Sequence, residues 1–214
     1  MTSSADPVPG ERRLGRPPSS DSAATRRRIL DVARAAFASG GYGATTNRQL
    51  AAEAGITAGT LYHYFASKLD LYLAVDDESR DEVYARFEEA IEGADGFVGK
   101  LEAVLDTSHE LNLEDPTIAA FLAAKRIDIG RHPEIAAALV SQVSRRERFF
   151  ARLVDVGVGT GEIAEDRRDM TMQLLTTVLT GLVDAVSDDS ERHRQAIQAI
   201  KLLLRGEFLS GPAD

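Results

Sequence analysis

Side chains that can hydrogen-bond to a nucleic acid are concentrated in one stretch of eight residues, 57–64. They are Thr57, Thr60, Tyr62, His63 and Tyr64. Their hydroxyl, phenol and imidazole groups can bond phosphate oxygens or the edges of bases. Ala58 and Gly59, which lie between them, are small enough for the backbone to approach a groove closely. The residue types in this stretch therefore predict contacts to DNA.

Two short helices are predicted to position these side chains. From Thr46 the chain reads TNRQLAAEAGITAGTLYHYFASK. Thr46 can cap the first helix, with Gln49 at the position that completes a capping box. Gly55 ends this helix, and Thr57 can cap the second. A pair of short helices joined by a tight glycine turn indicates a helix-turn-helix, which lays its second helix in the major groove of DNA.

Three further side chains near this motif are candidate contacts to DNA. Lys68 lies in the first turn of the next predicted helix, whose N-terminus is itself electropositive. Arg48 and Gln49 lie in the first helix of the motif, although Arg48 is equally well explained as a solvated surface charge. The aromatic residues of the second helix also have an alternative interpretation. Short αα-hairpins with aromatic cores occur in proteins that never bind DNA.

The net charge of the chain is divided unevenly along the sequence. The 34 Asp and Glu outnumber the 25 Lys and Arg, and the resulting net charge of −9 by itself disfavours a nucleic-acid partner. Residues 1–72, however, hold nine Lys and Arg against six Asp and Glu and carry +3, whereas the rest of the chain carries −12. The sequence thus predicts a basic head that can approach phosphate and an acidic body that is repelled by it.

A segment rich in Pro, Ser and Arg precedes the first helical periodicity, and we expect residues 1–22 to form a flexible arm. The arm contains RRLGRPP, with a Gly-Arg-Pro core like that of AT-hook peptides, in which an extended Arg lies in the narrow minor groove. Two interpretations stay open. Either Arg16 contacts the minor groove of DNA, or the arm is an ordinary charged tail. Its position directly before the motif favours the first.

The rest of the sequence has helical periodicity, with no sustained alternation of period two between hairpin turns. We therefore predict an all-α fold that divides into the arm 1–22, a head 23–72 and a body 73–214. The predicted helices cover 25–40, 47–54, 58–64, 68–91, 97–112, 117–129, 134–156, 168–186 and 190–208.

Composition disfavours several other classes of protein. The chain has no Cys and therefore no disulfide, thiolate metal site or cysteine nucleophile. Its four His are scattered, the glycine-rich run 157–161 follows no strand, and no Ser nucleophile elbow is present. We predict no catalytic residue, no metal and no cofactor. The N-terminus lacks the order of a signal peptide and no apolar stretch reaches roughly 18 residues, so we expect a cytoplasmic chain without a membrane partner.

Residues 54–71, AGITAGTLYHYFASKLDL, resemble the signature of the TetR family of bacterial transcriptional regulators, and the upstream helix TRRRILDVARAAFASGGYGATT extends the likeness over 25–72. The resemblance implies a three-helix head that binds DNA, with a larger helical body that forms a homodimer and holds a ligand pocket. Ala58 departs from the family, in which many members have Lys or a polar residue, so we expect one phosphate or base contact fewer per subunit. The family's DNA contacts correspond to Thr46, Thr57, Thr60, Tyr62, His63, Tyr64 and Lys68.

The acidic body carries two broad apolar stripes, on the helices predicted over 168–186 and 190–208. These helices can pack against their counterparts in a second copy as a four-helix interface, or they can fill the core of one subunit. The run 145–148, RRER, is interpreted as a solvated helix face. Candidate effector-binding residues lie on apolar segments of the middle body, where each can also be core or surface. They are His109, Asn112, Phe121, Lys125, Arg126, Phe149 and Phe150.

The sequence therefore predicts a ligand-responsive transcriptional regulator that is not an enzyme. In this prediction it is a homodimeric repressor, and a small molecule releases it from a palindromic operator in double-stranded DNA. The helix over 68–91 is the expected connector, because it begins at a DNA contact and ends against the body. Two alternatives remain: a helical small-molecule-binding protein or enzyme without DNA binding, and a helical adaptor whose head binds protein.

Overall fold

The computed structural model describes residues 18–139, 145–186 and 188–209, and within these ranges the chain forms α-helices and one short 3₁₀ helix (Glu165–Arg167) but no strand. The predicted all-α fold is confirmed. In chain order the helices are α1 (Pro18–Ala44), α2 (Asn47–Glu53), α3 (Ala58–Tyr64), α4 (Lys68–Glu92), α5 (Gly96–Glu114), α6 (Pro116–Arg131), α7 (Pro133–Leu139), α8 (Arg145–Thr160), α9 (Arg168–Val186) and α10 (Ser190–Leu204).

Several helix bounds differ from the predicted ones. α1 begins at Pro18, so residues 18–22 are helical although the sequence assigns them to the flexible arm; residues 1–17 lie outside the described ranges. Within the segment predicted as one helix over 134–156, the structure describes α7 and most of α8, and residues 140–144 lie outside the described ranges. α10 ends at Leu204 because the chain turns at Gly206, whose φ is +73° and whose N–H closes a Schellman-type cap.

The helix-turn-helix forms as its caps predict. The Thr46 hydroxyl accepts a hydrogen bond from the backbone N of Gln49 at 3.2 Å, and the Thr57 hydroxyl accepts one from the backbone N of Thr60 at 3.1 Å. Gly55, between the two helices, has a φ of +66°, which glycine adopts without steric cost. The geometry of this segment is therefore fixed by interactions within the segment itself.

Two hydrophobic cores hold the described part of the chain together. The head core joins α1, α2, α3 and the first turns of α4, and it also includes Phe121 of α6 and Ile135 of α7, both fully buried. The body core joins α4, α5, α8, α9 and α10 around Phe149 and Leu153. Because α6 and α7 contribute to the head core, the head is packed directly against the body.

A buried carboxylate on α6 fastens the end of α1. This helix is kinked at Gly41, which has φ +72° and ψ 172°. Directly after the kink, the backbone N of Tyr42 donates to Oδ2 of Asp128 at 3.0 Å, and the Tyr72 hydroxyl donates to the same oxygen at 3.0 Å. Burial, together with the negative charge of Asp128, raises the pKa of Tyr72 far above its usual range, so its hydroxyl remains a donor.

A second contact between α1 and α6 lies at the start of α6. The Arg34 guanidinium donates to Oδ2 of Asp115 at 2.5 Å and to the Thr117 hydroxyl at 3.1 Å. Asp115 also caps α6 by accepting from the backbone N of Thr117, and Pro116 occupies the first turn, where its missing N–H costs no hydrogen bond. α1 and α6 are thus joined at both ends of their contact.

Substituting Gly41→Ala is expected to lower the free energy of unfolding by about 1–3 kcal/mol. The backbone at Gly41 occupies a region that residues with a Cβ rarely adopt, and the added Cβ would lie 3.1 Å from Oδ1 of Asp128. Urea unfolding at a fixed protein concentration measures the change.

The matched control is Gly93→Ala at the end of α4. Gly93 has a φ of −88°, and beyond its chain neighbours no atom lies within 4 Å of the position that an added methyl group would take. This variant should unfold within about 0.5 kcal/mol of the parent protein. If the two variants are equally stable, the kink at Gly41 does not require a residue without a Cβ.

Candidate nucleic-acid interface and ligand cavity

The predicted DNA-reading helix α3 turns its polar side chains outward. Leu61 and Phe65 are buried in the head core, whereas Tyr62 is 53% exposed and His63 is exposed beside it. Thr57 is exposed, and Thr60 and Tyr64 are half-buried. The interpretation of Tyr62 as a core aromatic is therefore wrong.

Hydrogen bonds within the head restrict the side chains of this face. The hydroxyls of Thr57 and Thr60 lie 2.9 Å apart, and the Tyr62 hydroxyl accepts from Nδ2 of Asn47 on α2 at 3.0 Å. The Tyr64 hydroxyl donates to the hydroxyl of Ser22 on α1 at 3.3 Å. The face is therefore partly ordered before any partner binds, which lowers the entropy cost of binding one.

The ammonium of Lys68 fastens α4 to the turn between α1 and α2. Its Nζ donates to the carbonyl oxygens of Tyr42 at 2.7 Å and Thr45 at 3.0 Å, and it lies 4.1 Å from the centre of the Tyr42 ring. Burial lowers the pKa of Lys68. An ammonium has three N–H donors, and two of them are used by these carbonyl oxygens. Lys68 also holds the turn that presents Thr46, which is exposed.

The remaining predicted contacts of the head differ in their surroundings. Arg48 is exposed and forms no ion pair within the described ranges. Gln49 is also exposed, and its side chain donates to Oε1 of Glu53 at 3.0 Å. Arg16 lies outside the described residues. The sequence did not single out Arg28, whose Nε donates to the carbonyl oxygen of Ala54 in the turn of the motif at 2.9 Å.

A cavity of about 290 Å³ lies in the body, lined by side chains of α4, α5, α6, α8, α9 and α10. Its volume is at the small end of the range for small-molecule sites. Among the sequence candidates, Asn112, Lys125, Arg126 and Phe150 line it. Further apolar and aromatic wall residues, which the sequence did not single out, are Val83, Tyr84, Phe87, Leu111, Ile118, Leu122, Leu179 and Val183.

The other candidates lie behind the wall or away from it. Phe149 is fully buried and packs against Phe150, with ring centres 5.1 Å apart. Phe121 belongs to the head core, where its ring centre lies 5.3 Å from that of Tyr72. His109 reaches the cavity only through His193, since their Nδ1 atoms are 3.1 Å apart and His193 lines the wall.

Arg146 is a wall residue, and the interpretation of residues 145–148 as a solvated helix face is wrong at this position. The side chain is half-buried, and its Nη2 donates to the carbonyl oxygen of Thr176 at 3.1 Å and to the Thr180 hydroxyl at 3.0 Å. Its position four residues before the cavity residue Phe150 places both on one face of α8. That spacing is the sequence signal that could have identified it.

Two titratable wall residues are neutral near neutral pH. Burial lowers the pKa of His193, and the neighbouring His109 lowers it further. Burial also raises the pKa of Tyr84 to about 12. Within the described part of the chain, no group of three His, Asp or Glu is arranged to hold a metal ion. No helix in that part is long and apolar enough to cross a membrane.

Comparison with known proteins agrees with the motif and with the helical body. The family model described as bacterial regulatory proteins, tetR family, matches residues 29–75. The transcriptional regulator UidR of Escherichia coli K12 is 29% identical over 184 residues, which cover 85% of this chain and 92% of UidR. The repressor KstR2 of Rhodococcus jostii is 34% identical over 97 residues, which cover 44% of this chain and 48% of KstR2.

A solved structure, that of GusR from Salmonella enterica, superimposes with a TM-score of 0.70 and 26% identity over 86% of this chain and 95% of that one. Both sequence relatives are helix-turn-helix transcriptional regulators. The exposed polar face of α3, the cavity in the helical body and these similarities lead to one conclusion. Residues 29–75 form a domain of the tetR family of bacterial regulatory proteins, and over most of its length the chain is similar to transcriptional regulators.

Proposed function

We propose that the protein is a homodimeric repressor that binds a palindromic operator and leaves it when a small molecule enters the cavity. The observation that carries this proposal is the double role of α6. Ile118, Leu122 and Lys125 of this helix line the cavity, while Phe121 and Asp128 hold the head. A ligand in the cavity thus contacts the same helix that positions the DNA-reading unit.

In this proposal α3 lies in the major groove with Thr57, Tyr62 and His63 toward the bases or phosphates. The other predicted DNA contacts of the head, which surround this face of α3, contribute phosphate or positioning contacts. They are Thr46, Arg48, Gln49, Thr60, Tyr64 and Lys68. Arg16 is the proposed contact to the flanking minor groove. The acidic body is repelled by phosphate, so the dimer approaches DNA by its heads.

The proposed dimer forms through α9 and α10. Exposed large apolar side chains occur on both helices, among them Met170 at 70%, Leu174 at 58% and Leu203 at 57%. Covering them with a second copy would remove this apolar area from water. A dimer also supplies two reading helices, which fit two major grooves about 34–36 Å apart along the DNA, or a multiple of that distance.

Release of DNA is proposed to follow from a shift of α6 and α4 when the cavity fills. Both helices line the cavity, α4 through Tyr84 and Phe87. Both also contact the head, α4 through Lys68 and α6 through Asp128. A ligand that binds better to one head separation favours that separation. By thermodynamic linkage, operator DNA weakens ligand binding by the same factor.

DNA binding is expected to depend steeply on salt. With 6–10 phosphate contacts, the affinity for an operator fragment should fall about 10³–10⁵-fold between 50 and 200 mM salt. Arg48→Ala should reduce the slope of log affinity against log salt by about 2, since each contact contributes about 0.9 and a dimer has two copies. Footprinting of the region upstream of the protein's own gene supplies the operator fragment. Fluorescence anisotropy with this fragment then measures the affinity and its salt slope.

The control is Arg167→Ala, which removes an exposed cation from the body and should leave the slope unchanged. An identical slope in the Arg48 variant and the parent would remove Arg48 from the proposed interface. Affinity that is insensitive to salt in the parent would favour the alternatives, a ligand-binding protein without DNA binding or an adaptor.

Leu174→Arg is expected to convert the dimer to monomers, because an unpaired guanidinium buried in an apolar interface costs several kcal/mol. Ile127→Arg is the matched control: Ile127 is 56% exposed, close to the 58% of Leu174, but it lies on α6. Sedimentation velocity at micromolar concentration distinguishes the two states. If both variants remain dimeric, α9 does not form the interface.

Loss of the carboxylate in Asp128→Asn is expected to loosen the heads in the DNA-free dimer, because the contact to Tyr42 and Tyr72 weakens. The chain has no Cys, so Ala52→Cys on the exposed side of α2 gives one spin label per subunit. Double electron–electron resonance should show a broader distribution of label-to-label distances in the variant without DNA, and a narrow one in both proteins with DNA.

The control for this measurement is Asp155→Asn, which removes a surface carboxylate paired with Arg168. Its distance distribution should match that of the parent protein. A distribution for Asp128→Asn that is also unchanged would mean that this carboxylate does not restrain the heads.

A further inference from the structure

The wall of the cavity combines an apolar lining with four cationic side chains. Aromatic and aliphatic groups come from α4, α5, α6, α8 and α9, whereas the cations are Arg80, Lys125, Arg126 and Arg146. A cation at the edge of an apolar cavity is poorly solvated, so it either takes an anionic partner from the protein or is left for one from a ligand.

Three of these cations have carboxylate partners in the protein. The fully buried Asp76 accepts from Nζ of Lys125 at 2.5 Å and lies 3.1 Å from Nη2 of Arg80. Arg126 pairs with Asp184. The wall carboxylate Asp115 is itself paired with Arg34, 2.5 Å away. The acidic groups around the cavity are therefore already engaged by other cations.

Arg146 differs from the other three. Across the residues that the structure describes, it has no carboxylate within 4.0 Å, and its two partners are the neutral oxygens of Thr176 and Thr180. Both of these bonds use Nη2, which leaves the N–H donors of Nε and Nη1 for a ligand. A guanidinium presents these donors in a planar fork that matches the oxygens of an anion.

The other polar wall groups add no second unpaired charge. His193 is neutral near neutral pH, and so is the phenol of Tyr84, whose ring lies among the aromatic groups of α4 and α8. Phe87 and Phe150 are further apolar groups of the same cavity wall as Arg146. The cavity is thus complementary to a ligand that is mostly apolar and carries a single negative charge.

We propose that the ligand of this cavity is an amphipathic organic anion. Its one negatively charged group binds Arg146, and its apolar part contacts Tyr84, Phe87 and Phe150. This proposal rests on the proposed function only in taking the cavity as the effector site. Carboxylates and sulfonates share the required chemistry, and the two can be compared directly.

The test uses two fluorescent probes that share the same apolar ring system. 1-Anilinonaphthalene-8-sulfonate carries one negative charge, and N-phenyl-1-naphthylamine lacks the sulfonate. Titration of the full-length protein should show that the anion binds about 10- to 100-fold more tightly, as expected for a charge-assisted hydrogen bond in a partly buried site. 4-Phenylbutyrate should displace the anionic probe at lower concentration than 4-phenylbutyramide does.

Variants of α8 locate the charge preference. Arg146→Gln should bring the affinities of the two probes within about threefold of each other without weakening the neutral one, and Arg146→Lys should keep most of the preference. Arg152→Gln is the matched control, since Arg152 lies on the same helix, is exposed and pairs with Glu88. It should behave as the parent. Retention of the full preference in Arg146→Gln, or tighter binding of the neutral probe to the parent, overturns the proposal.

One more variant separates failure of the proposal from failure of the proposed function. Leu122→Trp fills the cavity and should abolish binding of both probes. If both probes bind this variant unchanged, they do not occupy the cavity, and the proposal is overturned. The salt-dependent binding of operator DNA is measured without any ligand. The proposed DNA binding is therefore tested independently of the charge preference of the cavity.

Discussion

The carboxylate of Asp128 is the interaction on which the arrangement of head and body depends. It is 4% exposed, and burial of a charge is costly unless donors surround it. The backbone N of Tyr42 and the hydroxyl of Tyr72 supply them. The carbonyl of Tyr42 in turn accepts from Lys68, which also holds Thr45 next to the cap of α2. A continuous set of hydrogen bonds thus connects α6 to the start of the helix-turn-helix.

This connection explains why α6 matters as much as α4, which the sequence identified as the connector. α4 does begin at Lys68 and end against the body core, as expected of it, and it also lines the cavity. α6, however, contacts α1 at both ends, through Arg34 at its start and Asp128 near its end. In the proposed function, both helices contact the cavity and the head, so a displacement of either helix at the cavity reaches the head.

Charge is partitioned at two scales in this protein. Along the chain, a basic head of +3 precedes a body of −12. Within the body, carboxylates such as Asp76 and Asp184 neutralise cations at the cavity wall, and Arg146 is left with neutral partners. The acidic character of the body therefore coexists with a cationic wall position inside it, because local pairing and not net charge sets the field that a bound group experiences.

The sequence by itself determined the all-α class and the helix-turn-helix. The caps Thr46 and Thr57 and the turn at Gly55 act between residues that are neighbours in the chain, so their types and spacing suffice. The cavity could be predicted only in part: Lys125 and Phe150 line it, but Phe121 lies in the head core and Arg146 lines the wall. Periodicity shows that a helix has a covered face, but it does not show which distant helix covers that face. Only the tertiary structure decided this, because packing partners such as α6 and α1 are distant in sequence and meet only in the folded chain.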